Sequence, residues 1–156
     1  MRVCGGRLLI AALFLSSASQ AEPVLTVTLA DGRVLGNLAL PEGREACLRW
    51  AHSVTGGAVA DCFENRGGKL MLVRSYLHDF AAGLGEVAGR GHLVPAQGGG
   101  YWIEDIDETV PDNALPLRIG AVAVDHRLMA GDETVALSRL APSQRARIML
   151  KLPHTE

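Results

Sequence analysis

Residues 48–63 hold the densest set of groups that could do chemistry: Arg49, Trp50, His52, Ser53, Asp61 and, flanking them, Cys47 and Cys62. An imidazole beside a carboxylate is half of a catalytic or metal site. If the chain folds back on a two-residue turn at Gly56-Gly57, His52 stands opposite Asp61 and Trp50 opposite Phe63. Both are favourable cross-strand combinations. A turn at Thr55-Gly56 instead sets Trp50 against Asp61 and His52 against Val59, which is chemically poorer. Ser53 follows His52 directly, and neighbours on a strand point to opposite faces, so these two cannot be nucleophile and base. Two cysteines in an oxidising compartment imply a disulfide. The Gly56-Gly57 register, however, puts Cys62 opposite Ala51, four residues along from Cys47, and only a bulge would bring the sulfurs together. Both outcomes stay open.

The remaining polar groups are more scattered. His78-Asp79 and Asp125-His126 repeat the imidazole–carboxylate pairing, and with His52 they could offer three ligands to zinc. No two histidines are spaced as a local chelate, so neither a metal nor any other cofactor is expected. The acidic run Glu104, Asp105, Asp107, Glu108 lacks the glycine and alternating oxygens of a calcium loop and reads as a solvated strand face or turn. Arg49, Arg74, Arg90 and Arg118 are the bases best placed to meet an anion. Arg74 interrupts the apolar stretch 70–77, where a charge needs a partner, and Asp61 or Glu64 of the preceding segment would serve.

The elements that must position these groups are short strands. Leu25, Val27 and Leu29 alternate with polar residues, and Asp31-Gly32 is a strong hairpin signal. Folding there sets Leu29 opposite Val34, Val27 opposite Gly36 and Leu25 opposite Leu38, all on one face. Candidate strands follow at 46–55, 58–65, 69–78 and 101–109. Val122, Val124, His126 and Leu128 then share a face, and a turn at Gly131-Asp132 sets Leu128 opposite Val135 and His126 opposite Leu137. The last strand points Ile148, Leu150 and Leu152 inward and Arg145, Arg147 and Lys151 outward. No stretch sustains helical periodicity for three turns. Eight or nine such strands predict an all-β antiparallel sandwich or barrel. The glycine-rich segment 83–100 reads as a long loop.

The first residues are of another kind. Arg2 and Arg7 precede the apolar run 8–15, and Ser19 and Ala21 form a small-x-small site before Glu22. This is the pattern of a removable secretion signal over residues 1–21, too short to span a bilayer as a helix. One domain, residues 22–156, is then expected to be periplasmic or secreted, with no transmembrane segment. Losing two of the 15 basic and none of the 17 acidic residues leaves 13 against 17, a net charge of −4. That mild, unclustered acidity argues against a nucleic-acid partner.

The run 48–61 with its His-Ser-Val, the pattern Gly68-x-Leu70-x-Leu72, and Phe80-x-Ala82-Gly83-Leu84 together resemble a family of exported bacterial proteins catalogued as domain of unknown function 1850. The likeness implies an accessory of tripartite ATP-independent periplasmic (TRAP) transporters of the TAXI subtype. Such a protein would be non-enzymatic and would bind the solute-binding subunit, the periplasmic face of the permease, or a small solute. His52, Asp61 and Arg74, with Phe80, Gly83 and Glu86, are the expected contact surface. The alternatives are a small periplasmic hydrolase or metal-dependent enzyme using His52, Asp61, His78 and His126, and an envelope structural or interaction module.

Overall fold

A computed structural model describes residues 21–79 and 89–153. The leader 1–20 and the expected contact residues Phe80, Gly83 and Glu86 lie outside them. The described residues form twelve strands: β1 (Val24–Leu29), β2 (Val34–Ala39), β3 (Glu45–Ala51), β4 (Ala58–Arg66), β5 (Lys69–Leu77), β6 (His92–Pro95), β7 (Tyr101–Glu104), β8 (Glu108–Thr109), β9 (Ala114–Arg118), β10 (Arg127–Ala130), β11 (Glu133–Val135) and β12 (Arg145–Lys151). One short helix, α1 (Leu137–Leu140), precedes β12. The small sheet has the order β2-β1-β12-β9. The large one runs β11-β10-β3-β4-β5-β7-β6, with β8 also pairing β5. All strand pairs are antiparallel. The architecture is therefore a two-sheet sandwich and not a closed barrel. No helix among the described residues is long and apolar enough to cross a membrane.

Period-2 alternation builds the core. Leu25 and Val27 of β1 and Ile148 of β12 meet Leu48 of β3, Phe63 of β4 and Leu128 of β10 in one buried cluster between the sheets. In the first hairpin Leu25 opposes Leu38 and Val27 opposes Gly36, as expected. The turn differs. Leu29 and Gly32 donate backbone bonds to Arg33 O and Leu29 O, both at 2.9 Å, which makes a three-residue loop with Gly32 at φ +88°. The extra residue produces a bulge, so Val34 opposes Thr28 and is 50% exposed.

Leu128 opposes Val135 as the spacing predicts. Val122–Val124, however, is a 3-10 turn and not strand. His126 does not face Leu137; its backbone N–H donates to Ser138 Oγ at 2.9 Å, and Leu137 opens α1. Two strands were not foreseen. β6 hides in the glycine-rich segment, and β9 carries Pro116, which an edge strand of the small sheet tolerates. Charge that looked unclustered along the chain is gathered by folding. Arg145, Arg147 and Lys151 all point to the outer face of the small sheet, where Arg118 stands opposite Arg145.

Candidate functional site

The β3–β4 hairpin decides which polar groups can meet, and neither two-residue turn forms. Its last strand pair is Ala51 with Ala58. Beyond it the His52 N–H donates to Gly57 O, and the Gly56 N–H returns to His52 O, each at 2.8 Å. The His52 imidazole closes the loop: Nδ1 accepts the Val54 and Thr55 backbone N–H groups, both at 3.3 Å. With the loop satisfied from inside, the register puts Leu48 opposite Asp61 and Trp50 opposite Val59. It also puts Cys47 opposite Cys62, and the two are joined as a disulfide.

The expected contact patch is consequently split. His52 sits at the hairpin end. Asp61, opposite core residue Leu48, points toward the inner face, where Ser75 Oγ donates to it at 2.6 Å. Burial raises the pKa of this carboxyl above 3.8, opposed by the Ser75 bond and the charge of Arg90, with Glu108 adding to the rise. Arg74 lies on the outer face and takes neither Asp61 nor Glu64. Its guanidinium forks onto Glu45 of β3, at 2.8 and 2.6 Å, and stacks 4.3 Å from the Trp102 ring centre.

The imidazoles do not assemble either. His52 and His126 line one hollow with Trp50, while His78 is hydrogen-bonded to the Tyr76 hydroxyl at 3.2 Å. His126 Nδ1 accepts the Gly120 N–H at 2.8 Å, and burial holds this imidazole below its usual 6.5. In both His52 and His126 the backbone bond to Nδ1 leaves the neutral ring's proton on Nε2, which is then a donor and not a base. Among the described residues the one group within metal-ligand reach is Glu45, Cys47 and Cys62, and the disulfide takes both sulfurs.

What the sheet does assemble is a row across its outer face. Arg127, Arg49, Ala60, Tyr76, Trp102 and Val94 are successive cross-strand partners on β10, β3, β4, β5, β7 and β6. Directly paired residues share a face, so two guanidiniums stand at one end and an aromatic wall at the other. Ala60 lies between them, with Ala51 and Ala58 beside it on the floor. The hollow measures about 630 Å³ and is rimmed also by Asp125 and Glu104, a size usual for small-ligand sites. Tyr76 and Trp102 have ring centres 5.2 Å apart at 55°. The Tyr76 hydroxyl donates to Gly99 O at 2.9 Å, tying the aromatic wall to the β6–β7 loop. Of this row the sequence reading singled out Arg49 alone. Taking the Cys47–Cys62 pair as the register marker would have set Arg49 opposite Ala60, and the rest of the row follows from strand order.

Fold and site thus define a class: an antiparallel β-sandwich with a ligand-sized groove on the outside of its larger sheet. The chain belongs to the family described as Domain of unknown function (DUF1850), whose model matches residues 47–137. That span contains the whole cross-strand row and runs from β3 to β11. No curated protein and no solved structure matches the chain.

Proposed function

We propose that this protein is an exported, non-catalytic binding protein that serves a TAXI-type TRAP transport system from the periplasmic side, with the outer groove of the large sheet as its binding site. The observation that carries the binding role is the groove itself. Small residues floor it, a fixed aromatic pair forms one wall, and guanidiniums stand at the other end. The enzyme reading is weaker because His52 and His126 accept backbone N–H groups at the nitrogen a base would use, and His78 is bonded to the Tyr76 hydroxyl. The link to transport rests on the family likeness, and export rests on the leader pattern.

The test is capture from envelope extracts with the purified protein, read beside solute uptake in a deletion strain. Recovery of the solute-binding subunit or permease, or an uptake defect restored by the wild-type gene and not by a Trp102→Ala variant, is expected. No transporter component captured, together with unchanged uptake, would overturn the reading.

A further inference from the structure

We propose that the groove takes a small organic monoanion with a flat apolar body, lying across the strands with its carboxylate on Arg49 and Arg127 and its ring against Tyr76. The inference rests on the groove being the binding site and adds the class of ligand.

Four features of the row lead to it. First, Arg49 and Arg127 are directly opposed on neighbouring strands, an arrangement that costs stability when nothing anionic intervenes. Arg127 Nε has Asp125 at 3.1 Å, whereas Arg49 has no ion pair among the described residues. A carboxylate bound there relieves the repulsion, and the planar guanidinium fork matches it in a bidentate way. Second, Ala60 alone separates Arg49 from Tyr76 in the row. Two strand spacings of about 4.8 Å leave roughly 10 Å between the cationic end and the first ring. That is room for an aryl group and a short linker.

Third, the aromatic wall is already in place. Arg74 stacks on Trp102, and Tyr76 is held by Gly99, so little ordering remains to oppose binding. The Tyr76 ring and Val94 leave an apolar surface suited to an edge or offset ring contact. Fourth, Asp125 and Glu104 both rim the hollow. Asp125 already compensates Arg127, so the cationic end keeps one net positive charge for one carboxylate, while Glu104, two residues along β7 from Trp102, makes a second negative charge at the aromatic end repulsive, which selects a monoanion.

The experiment is titration calorimetry with one skeleton in four forms: 3-phenylpropionate, its neutral amide, 3-phenylpropylamine, and 3-phenylpropionate bearing a second carboxylate on the ring. The expected result is that 3-phenylpropionate binds at least tenfold more tightly than each of the others. Arg49→Gln should remove at least tenfold of its affinity without changing that of the amide. Ala58→Leu, at an exposed floor position, should weaken both by filling the groove, with thermal melts confirming that each variant folds. Equal affinity for anion and amide, or preference for the amine or dianion, overturns the ligand class while leaving the binding role intact. Absence of binding by all four also overturns the class, and the capture and uptake measurements then decide the binding role separately.

Discussion

On the outer face of the large sheet, Arg74 is paired with Glu45 at 2.6 Å and Arg66 with Glu64 at 2.6 Å, beside Arg127 with Asp125 at 3.1 Å. A disulfide crosses β3 to β4 in the same layer. On the outer face of the small sheet, Arg118, Arg145, Arg147 and Lys151 have no ion pair among the described residues. No Asp, Glu or His occurs in β1, β2, β9 or β12. One face is cross-linked and charge-balanced, with Arg49 left over beside a groove. The other is a field of one sign, open to solvent and to screening by salt. The difference teaches where shape is held: a groove needs fixed walls, and the ion pairs, the stacked Arg74 and the disulfide supply them on the large sheet.

The largest break in this comparison comes from removing the cross-link. A Cys47→Ser/Cys62→Ser double variant opens a loop with a sequence separation of 15. In the chain-entropy account it should lose ~3 kcal/mol, lowering the thermal midpoint by roughly 10 °C. Denaturant unfolding of the variant, and of wild type with and without reductant, measures it. A loss below half that size would show that the hydrogen-bonded register holds the large sheet unaided.

Next is Arg74→Ala, which removes a forked bond to Glu45 and the stack on Trp102. Charged hydrogen bonds contribute about 1.5–3 kcal/mol when sheltered. With the side chain 36% exposed, solvent screening reduces the expected loss to about 1 kcal/mol. Tryptophan fluorescence should shift as well, because the cation leaves the Trp102 face. An unchanged spectrum would contradict the stacked geometry.

The legible part of this fold was whatever alternation alone determines. β1 with β2, the inward Ile148 and Leu150 of β12 and the Leu128–Val135 pairing all follow from apolar period-2 runs with turn residues between them, whereas Leu152, expected inward, lies past β12 and is exposed. The β3–β4 register departs from expectation for a physical reason. Glycines at 56 and 57 advertise a tight turn, but the His52 side chain can satisfy backbone donors and so makes a longer loop equally good. Loop length shifts every partner along β4, and with it the pairing of His52, Asp61 and Cys62. Arg74, a charge within an apolar run, needs a carboxylate and has one. Its reach across β4 to Glu45 depends on that same register. Tyr76, Trp102 and Arg127 carry no local motif, and only strand order brings them into one row.

A third measurement separates the sheets by titration. The small sheet's strands hold no group that titrates between about pH 3 and 8, whereas the large sheet holds Asp61, with its pKa raised, and the His126 imidazole just before β10 is held low. For Asp61 the folded state keeps its proton to higher pH than the unfolded chain. Its contribution to stability is therefore present below 3.8 and is lost as pH rises through the raised folded value. An Asp61→Asn variant should be more stable than wild type at pH 7, and the advantage should shrink toward zero below 3.8. For His126 the sign is opposite: the unfolded chain takes up a proton first, so stability falls as pH drops below 6.5. A His126→Gln variant should flatten that part of the wild-type profile. Melting curves from pH 3 to 8 check both, and an Asp61→Asn advantage independent of pH would place its origin in packing and not in charge.

The smallest effect should come from the small sheet, and its sign is informative. Arg147 lies on β12 between Thr28 of β1 and Pro116 of β9, with Arg145 two residues away on the same outer face. Nothing anionic faces it, so Arg147→Glu should stabilise the protein by about 0.2–0.5 kcal/mol, the usual scale of exposed charge pairs. The gain should disappear at high salt as the charges are screened. The same exchange at Arg49 gives the complementary result. Arg49→Glu would place a carboxylate opposite Arg127 and relieve a like-charge pair, so stability should rise by a similar amount while affinity for 3-phenylpropionate is lost. Calorimetry and urea midpoints on the two variants, at low and high salt, make the distinction. Only the large-sheet substitution should change binding, because only there does an uncompensated guanidinium stand beside a prebuilt aromatic wall.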